Sequence, residues 1–225
     1  MSSVTTREPL IFVAACLVAA MTGISAFWGP ELRWLLQPPA PRIVFIGDSL
    51  TSGRGLSAVR AYPAVLQHRL DEAGLRYRVV NAGVSGDTSE RALDRLPGAL
   101  AGDVRLLVVA LGANDALRGV PIAQLKANLA RIIEAAQGRG IRVLLCGLAG
   151  RSDGSPYTSG FHSAYHELAA RYQVPLVPFM LEHVIDDPKL MQPDSLHPNA
   201  AGALAIAGNI WPYLEPLVAE TAAAQ

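Results

Sequence analysis

A serine hydroxyl is a useful nucleophile only when a base takes its proton and donors hold the oxyanion that its attack creates. This chain carries residue types for all three parts. Ser49 stands directly after the apolar, β-branched run Arg42-Ile43-Val44-Phe45-Ile46-Gly47-Asp48. Five histidines compete for the role of base. His68, His162 and His166 fall in helical patterns, where a solvated or half-buried ring is the ordinary explanation. His183 has only Glu182 and Asp186 nearby, neither of them placed by a turn. His197 has Asp194 three residues upstream, in a turn bounded by Pro193 and Pro198. That short tether lets the carboxylate reach ring Nδ1 and leaves Nε2 for a hydroxyl. Pro198 suits the first turn of a following helix, which would fix His197 at its start. For the oxyanion, Gly86 offers an uncrowded backbone N–H, Asn114 a side-chain amide and Ser49 its own N–H. The set points to nucleophilic acyl transfer, with Ser49 attacking, His197 as base and Asp194 orienting it. Taken singly, each residue has a plainer explanation: a capping turn for Asp194 and His197, a turn for Gly86, a loop or cap for Asn114.

What makes the set more than a collection is the order of elements around it. Five short apolar runs, at 43–47, 77–81, 106–111, 141–147 and 176–179, alternate with helical patterns at 61–73, 89–96, 122–137, 161–171 and 200–217. Several runs are continuously hydrophobic, as expected of strands covered on both faces. Gly74, Gly98 and Gly138 stand where helix C-caps are expected. The alternation predicts a parallel, doubly wound α/β/α domain of three layers. Asp48-Ser49 follows the first run, Gly83-Val84-Ser85-Gly86-Asp87-Thr88 the second and Gly112-Ala113-Asn114-Asp115 the third. Asp194-Ser195-Leu196-His197 follows the fifth. Parallel strands end on one sheet edge, so these loops are expected to converge.

Rival motifs lack their structural context. Gly150-Arg151-Ser152-Asp153-Gly154 fits the G-x-S-x-G elbow, but Ser155-Pro156 follows where a helix should begin. Gly53-Arg54-Gly55-Leu56-Ser57-Ala58 resembles a dinucleotide fingerprint, yet it starts six residues after the strand and Asn81, not an acid, closes the second strand. His162 and His166 have helical spacing for a metal but lack a third ligand at useful spacing.

Gly47-Asp48-Ser49-Leu50, Gly86, Gly112-Ala113-Asn114-Asp115 and Asp194-Ser195-Leu196-His197 resemble the four motif blocks of the SGNH (GDSL) hydrolases. Asn81-Ala82-Gly83-Val84-Ser85-Gly86-Asp87-Thr88-Ser89 and Val174-Pro175-Leu176-Val177-Pro178-Phe179 bring the resemblance closest to the bacterial thioesterase I, arylesterase and lysophospholipase group. The resemblance runs from about residue 42 to 218. It implies a flavodoxin-like fold with a central five-stranded parallel sheet. It also implies hydrolysis of carboxylic esters and thioesters, lysophospholipids among them, without metal or cofactor. Ser49, His197 and Asp194 would form the triad, and Ser49, Gly86 and Asn114 the oxyanion hole. A carbohydrate O-acetylesterase acting on envelope polysaccharide is the alternative reading within enzymes. A catalytically silent binding module on the same fold is the alternative outside them.

The whole chain agrees with one such domain. Its 225 residues, 51% hydrophobic, can bury one sizeable core. Lysine plus arginine and aspartate plus glutamate both number 19, with no basic stripe, which argues against nucleic acid as a partner. Cys16 lies in the N-terminal apolar run and Cys146 ends a core strand, so no disulfide between them is expected. From Leu10 to Trp28 no residue is charged, roughly the length a helix needs to cross a bilayer. This predicts an N-terminal apolar helix within residues 1–29, either a signal anchor or a signal peptide cut after Ile24-Ser25-Ala26. A proline-rich linker follows at 30–41, then the hydrolase domain at 42–218 and a tail at 219–225. The expected location is the bacterial cell envelope: held at the inner membrane with a periplasmic domain, or secreted to the periplasm.

Overall fold

A computed structural model describes residues 38–148 and 156–223. The N-terminal apolar run, most of the linker and the Ser152 motif lie outside them. Five strands form one parallel sheet: β1 (Arg42–Gly47), β2 (Arg78–Gly83), β3 (Val104–Ala110), β4 (Arg142–Cys146) and β5 (Leu176–Val177). Their spatial order is β2-β1-β3-β4-β5, with every pair parallel. The chain leaves β1 toward β2 and then crosses to β3 on the other side. The switch point of the topology therefore lies beside β1, where open α/β sheets hold ligands.

The helices are α1 (Ser49–Ser52), α2 (Tyr62–Glu72), α3 (Ser89–Ala99), α4 (Ala113–Leu117), α5 (Ile122–Gln137), α6 (Pro156–Tyr172) and α7 (Ala200–Ala223). α2 packs on α7, while α5 packs on both α3 and α6. Strands β1, β3 and β4 are almost wholly buried, which explains their unbroken apolar runs; β2, at the sheet edge, is only half-buried. Cys146 is buried at the end of β4 as a free thiol. Among the described residues no helix is long and apolar enough to cross a membrane.

Several local expectations are corrected. α3 continues past Leu96 through Pro97 and Gly98, because burying Leu96 and Leu100 draws the last turn onto the core. Gly138 caps α5 as expected, in a right-handed conformation, and the left-handed turn follows at Gly140, with φ +69°. β5 keeps two of the four residues expected of it. Pro198 precedes the cap of α7 rather than opening its first turn. Asn199 is the residue whose Oδ1 accepts the N–H groups of Ala201 and Gly202.

Sheet register carries the site. Gly47 pairs with both Gly83 and Ala110, so β1, β2 and β3 end in one line. Arg95 ties this edge together. Its guanidinium donates to the carbonyls of Gly47, at 2.9 Å, and Ala82, and to the Asp87 carboxylate at 2.6 Å. The one-turn helix α1 then folds back over the edge, with Thr51 Oγ1 hydrogen-bonded to the buried Tyr62 hydroxyl at 2.8 Å. Asn81 donates to the Thr51 carbonyl at 2.8 Å.

That return needs the absence of a side chain at position 47. A Cβ on Gly47 would lie 2.0 Å from Thr51 Oγ1 and 2.8 Å from the Ala110 carbonyl oxygen. Gly47→Ala is therefore expected to cost about 1–3 kcal/mol and lower the thermal midpoint by at least about 2 °C. Differential scanning calorimetry measures it; an unshifted midpoint would show that α1 does not depend on this contact.

Candidate active site

The five residues singled out from the sequence meet at the C-terminal edge of the sheet. Ser49 opens α1, two residues beyond the end of β1. Gly86 lies three residues beyond β2, and Asn114, in α4, four beyond β3. Ser49, Gly86, Asn114 and His197 line one cleft of about 380 Å³. Its walls are largely apolar, with Leu117, Tyr157, Phe161, Leu181 and Ile185 among them.

His197 Nε2 is 3.0 Å from Ser49 Oγ, and His197 Nδ1 is 2.6 Å from Asp194 Oδ2. The turn that produces this is built by Asp194 itself. Its Oδ1 accepts the backbone N–H groups of Leu196 and His197, each at 3.0 Å, while Ser195 takes a left-handed φ of +54°. Asp194 thus both caps the turn and faces the ring. Hydrogen bonds from the His197 side chain, then from the backbone N–H groups of His197 and Leu196, hold its carboxyl well below the usual carboxylate range. The ring is 5% exposed, with its tautomer set by the carboxylate: Nδ1 donates to Asp194, leaving Nε2 to accept from the serine hydroxyl.

Gly86 has φ +85°, a conformation that favours glycine, and its N–H meets no acceptor among the described residues. Its carbonyl oxygen accepts from Arg118 at 2.9 Å, which pins the Gly86 loop to the end of α4. Ser52 and Ser85 link α1 to the same loop, their hydroxyls 3.0 Å apart. The other side of the cleft rests on a buried triad of polar groups. Asp115 accepts from the backbone N–H and hydroxyl of Ser89, and Asn128 donates to that hydroxyl. Asn114, next to Asp115, is held by this network at its backbone.

The Asn114 side chain is held by Asp48, a residue the sequence reading placed in a motif without giving it a task. Asp48 is fully buried. Its Oδ1 accepts the Leu50 N–H at 3.0 Å, capping α1, and its Oδ2 accepts from Asn114 Nδ2 at 3.2 Å. One amide hydrogen of Asn114 is thereby engaged, and the second remains for a ligand. The findable signal was an aspartate immediately ahead of a possible helix start. Loss of water is the largest influence on Asp48 and raises its carboxyl from 3.8 to about 6, against the lowering effect of its two donors.

The other histidines stay apart from this site. His68 pairs with Glu72 on the exposed face of α2, and His183 is exposed beside Glu182. His162 and His166 stack at 5.1 Å on the exposed side of α6. Among the described residues no group of three His, Cys, Asp or Glu side chains is placed to hold a metal. Gly53 and Gly55 are left-handed turn residues after α1, not the strand-to-helix turn of a dinucleotide site.

Residues 45–205 match the GDSL-like lipase/acylhydrolase family. The chain is 41% identical over 184 residues to esterase TesA of Pseudomonas aeruginosa, covering 81% of this chain and 92% of that protein. It is 37% identical over 181 residues to the thioesterase 1/protease 1/lysophospholipase L1 of Escherichia coli K12, covering 80% and 86%. The crystal structure of TesA superposes with a TM-score of 0.75 at 42% identity, over 78% of this chain and 99% of that one. The chain belongs to the GDSL-like lipase/acylhydrolase family.

Asp48 yields a prediction about function and stability together. Its two oxygens serve two donors; an asparagine has one oxygen and can serve only one. Asp48→Asn is expected to let the Asn114 amide turn over and lower kcat by roughly 10-fold or more, toward the loss of the oxyanion donor expected from the sequence. Because the folded pKa of about 6 lies above 3.8, this group stabilises the fold fully below about pH 3.8 and loses that contribution as pH rises through about 6. The ionised form therefore costs on the order of 3 kcal/mol at neutral pH. Asp48→Asn is expected to raise the thermal midpoint at pH 8 while kcat falls; a fall in both would make Asp48 a merely structural cap.

Proposed function

We propose that this protein is a serine hydrolase of carboxylic esters and thioesters, working through an acyl-enzyme on Ser49. The observation that carries this reading is the continuous hydrogen-bonded line from Ser49 Oγ through His197 to Asp194 at the floor of an apolar cleft. His197 Nε2 takes the serine proton as Oγ attacks the acyl carbonyl. The oxyanion that forms is met by the N–H groups of Ser49 and Gly86 and by the second amide hydrogen of Asn114. The imidazolium, stabilised by Asp194, then gives its proton to the departing alcohol or thiol. A water activated by the same nitrogen releases the acid. The names of the relatives, an esterase and a thioesterase/lysophospholipase, support the same reaction class.

The apolar cleft supports acyl chains longer than acetyl, which sets esters of fatty acids ahead of acetylated polysaccharide. We further propose that residues 1–29 hold or direct the protein to the cell envelope, with the hydrolase domain outside the cytoplasm. The uncharged stretch from Leu10 to Trp28 supports this.

Steady-state kinetics on p-nitrophenyl esters of increasing chain length test the reading. Ser49→Ala is expected to abolish turnover, and Asn114→Ala to lower kcat by roughly 10²–10³-fold with a smaller change in KM. Activity surviving Ser49→Ala would move the nucleophile elsewhere, and a loss confined to KM would remove Asn114 from the oxyanion site.

A further inference from the structure

Two walls of the cleft are tied to each other by hydrogen bonds at both ends. One wall is α4, through Ala113, Asn114, Ala116 and Leu117; the other is the start of α6, through Tyr157 and Phe161. At five residues α4 has too few internal bonds to stand alone, so its place comes from its neighbours. Tyr165 fixes the way in. Its hydroxyl donates to the Leu111 carbonyl at 2.8 Å, between the end of β3 and the cap of α4, and both residues are buried. Gly112 comes close to the same ring. A Cβ there would lie 2.1 Å from the Tyr165 hydroxyl oxygen and 3.3 Å from Phe161 Cζ, on a backbone with φ +127°. Tyr157 fixes the way out, its hydroxyl donating to the Val120 carbonyl at 3.0 Å. Phe161 joins the two tyrosines, stacked on Tyr157 at 6.4 Å and edge-on to Tyr165 at 5.4 Å. Burial, and then the charges of Asp115 and Asp48, hold the Tyr165 hydroxyl well above its usual range, so it stays protonated and stays a donor.

Leu111 stands three residues ahead of Asn114. The Asn114 side chain is held by Asp48 through one bond of 3.2 Å, at the long end of the range for N–H to oxygen. That bond orients the amide but does not set where its backbone stands. Asp115 holds the middle of α4 to Ser89, at the start of α3. Tyr165 supplies the remaining constraint, the depth at which the turn out of β3 enters the cleft. Resting on the serine-hydrolase reading above, with Asn114 as an oxyanion donor, we propose that Tyr165 is a positioning residue for that donor. Tyr157 is the outer tie of the same clamp. Without the bond to Leu111, the turn shifts against the α6 rings and the second amide hydrogen of Asn114 no longer meets the oxygen on which charge develops. Donors aimed at such an oxygen lose much of their effect on a small displacement, so the cost falls on the chemical steps rather than on substrate binding. Acylation and deacylation both pass through an oxyanion, so kcat reports the donor whichever step is slower.

A double-mutant cycle on the full-length protein, with one p-nitrophenyl ester, tests this. kcat and KM are measured for the wild type, Tyr165→Phe, Asn114→Ala and the double variant. Tyr165→Phe keeps the ring beside Gly112 and Phe161 and removes one hydroxyl. It is expected to lower kcat by roughly 10-fold while KM changes less than about threefold. In the Asn114→Ala background the same substitution is expected to change kcat by less than about twofold, because the donor it positions is gone. An unchanged kcat in the wild-type background, a loss confined to KM, or an equal fall in both backgrounds would overturn the proposal. Tyr157→Phe, on an exposed ring, is carried through the same cycle and is expected to show the same pattern with a smaller fall. Tyr165→Phe decides the proposal where it folds, and Tyr157→Phe decides it where it does not. Wild-type kcat in Asn114→Ala would instead strike the oxyanion reading itself, and this proposal with it.

Discussion

A carboxylate removed from water at the end of the first strand is the constraint on which the rest of this site depends. Asp48 is fully buried, and its carboxyl is driven up to about 6 by that burial. A fold under selection for stability alone would place a neutral side chain there. What the charge supports is geometry: one oxygen caps the helix that begins with Ser49, and the other holds the amide of Asn114. The proposed nucleophile and one proposed oxyanion donor are thereby set against each other by a single side chain. Such trade-offs of stability for pre-organisation are characteristic of reactive sites.

Around Asp48 the support is layered and comes from regular elements rather than from loops alone. Arg95 gathers the ends of β1 and β2 and the Gly86 loop through three acceptors. Asp115, Ser89 and Asn128 lock α4 to α3 and α5 in a buried polar network with its donors and acceptors matched. On the far side, Asn199 and Gln192 fasten the loop carrying His197 to its surroundings. Catalytic geometry held to a fraction of an ångström needs this kind of second support, because a displaced base or donor loses most of its effect.

Much of this was legible in the sequence, for reasons that can be named. Buried parallel strands must be apolar on both faces, so β1, β3 and β4 appear as unbroken runs. Polar residues that follow such runs must share one edge, so Ser49, Gly86, Asn114 and the Asp194–His197 pair could be brought together without coordinates. Helices α1 and α4, at four and five residues, are too short to show any periodicity. Missing α1 hid the capping role of Asp48, and with it the link to Asn114. Arg95 and Arg118 were equally hidden, since a long cationic side chain is assigned to solvent unless its acceptors are known. The C-terminal end of α3 was misplaced because tertiary packing of Leu100 outweighed the local preferences of Pro97 and Gly98.

Ser49 is the proposed activated serine, and covalent labelling reads its reactivity directly. The full-length protein is treated with a fluorophosphonate, and the adduct is located by peptide mass spectrometry. A single adduct on Ser49, lost in His197→Ala, is the predicted result. Labelling of Ser152 in place of Ser49, or no labelling of an active preparation, would contradict the assignment of Ser49 as nucleophile.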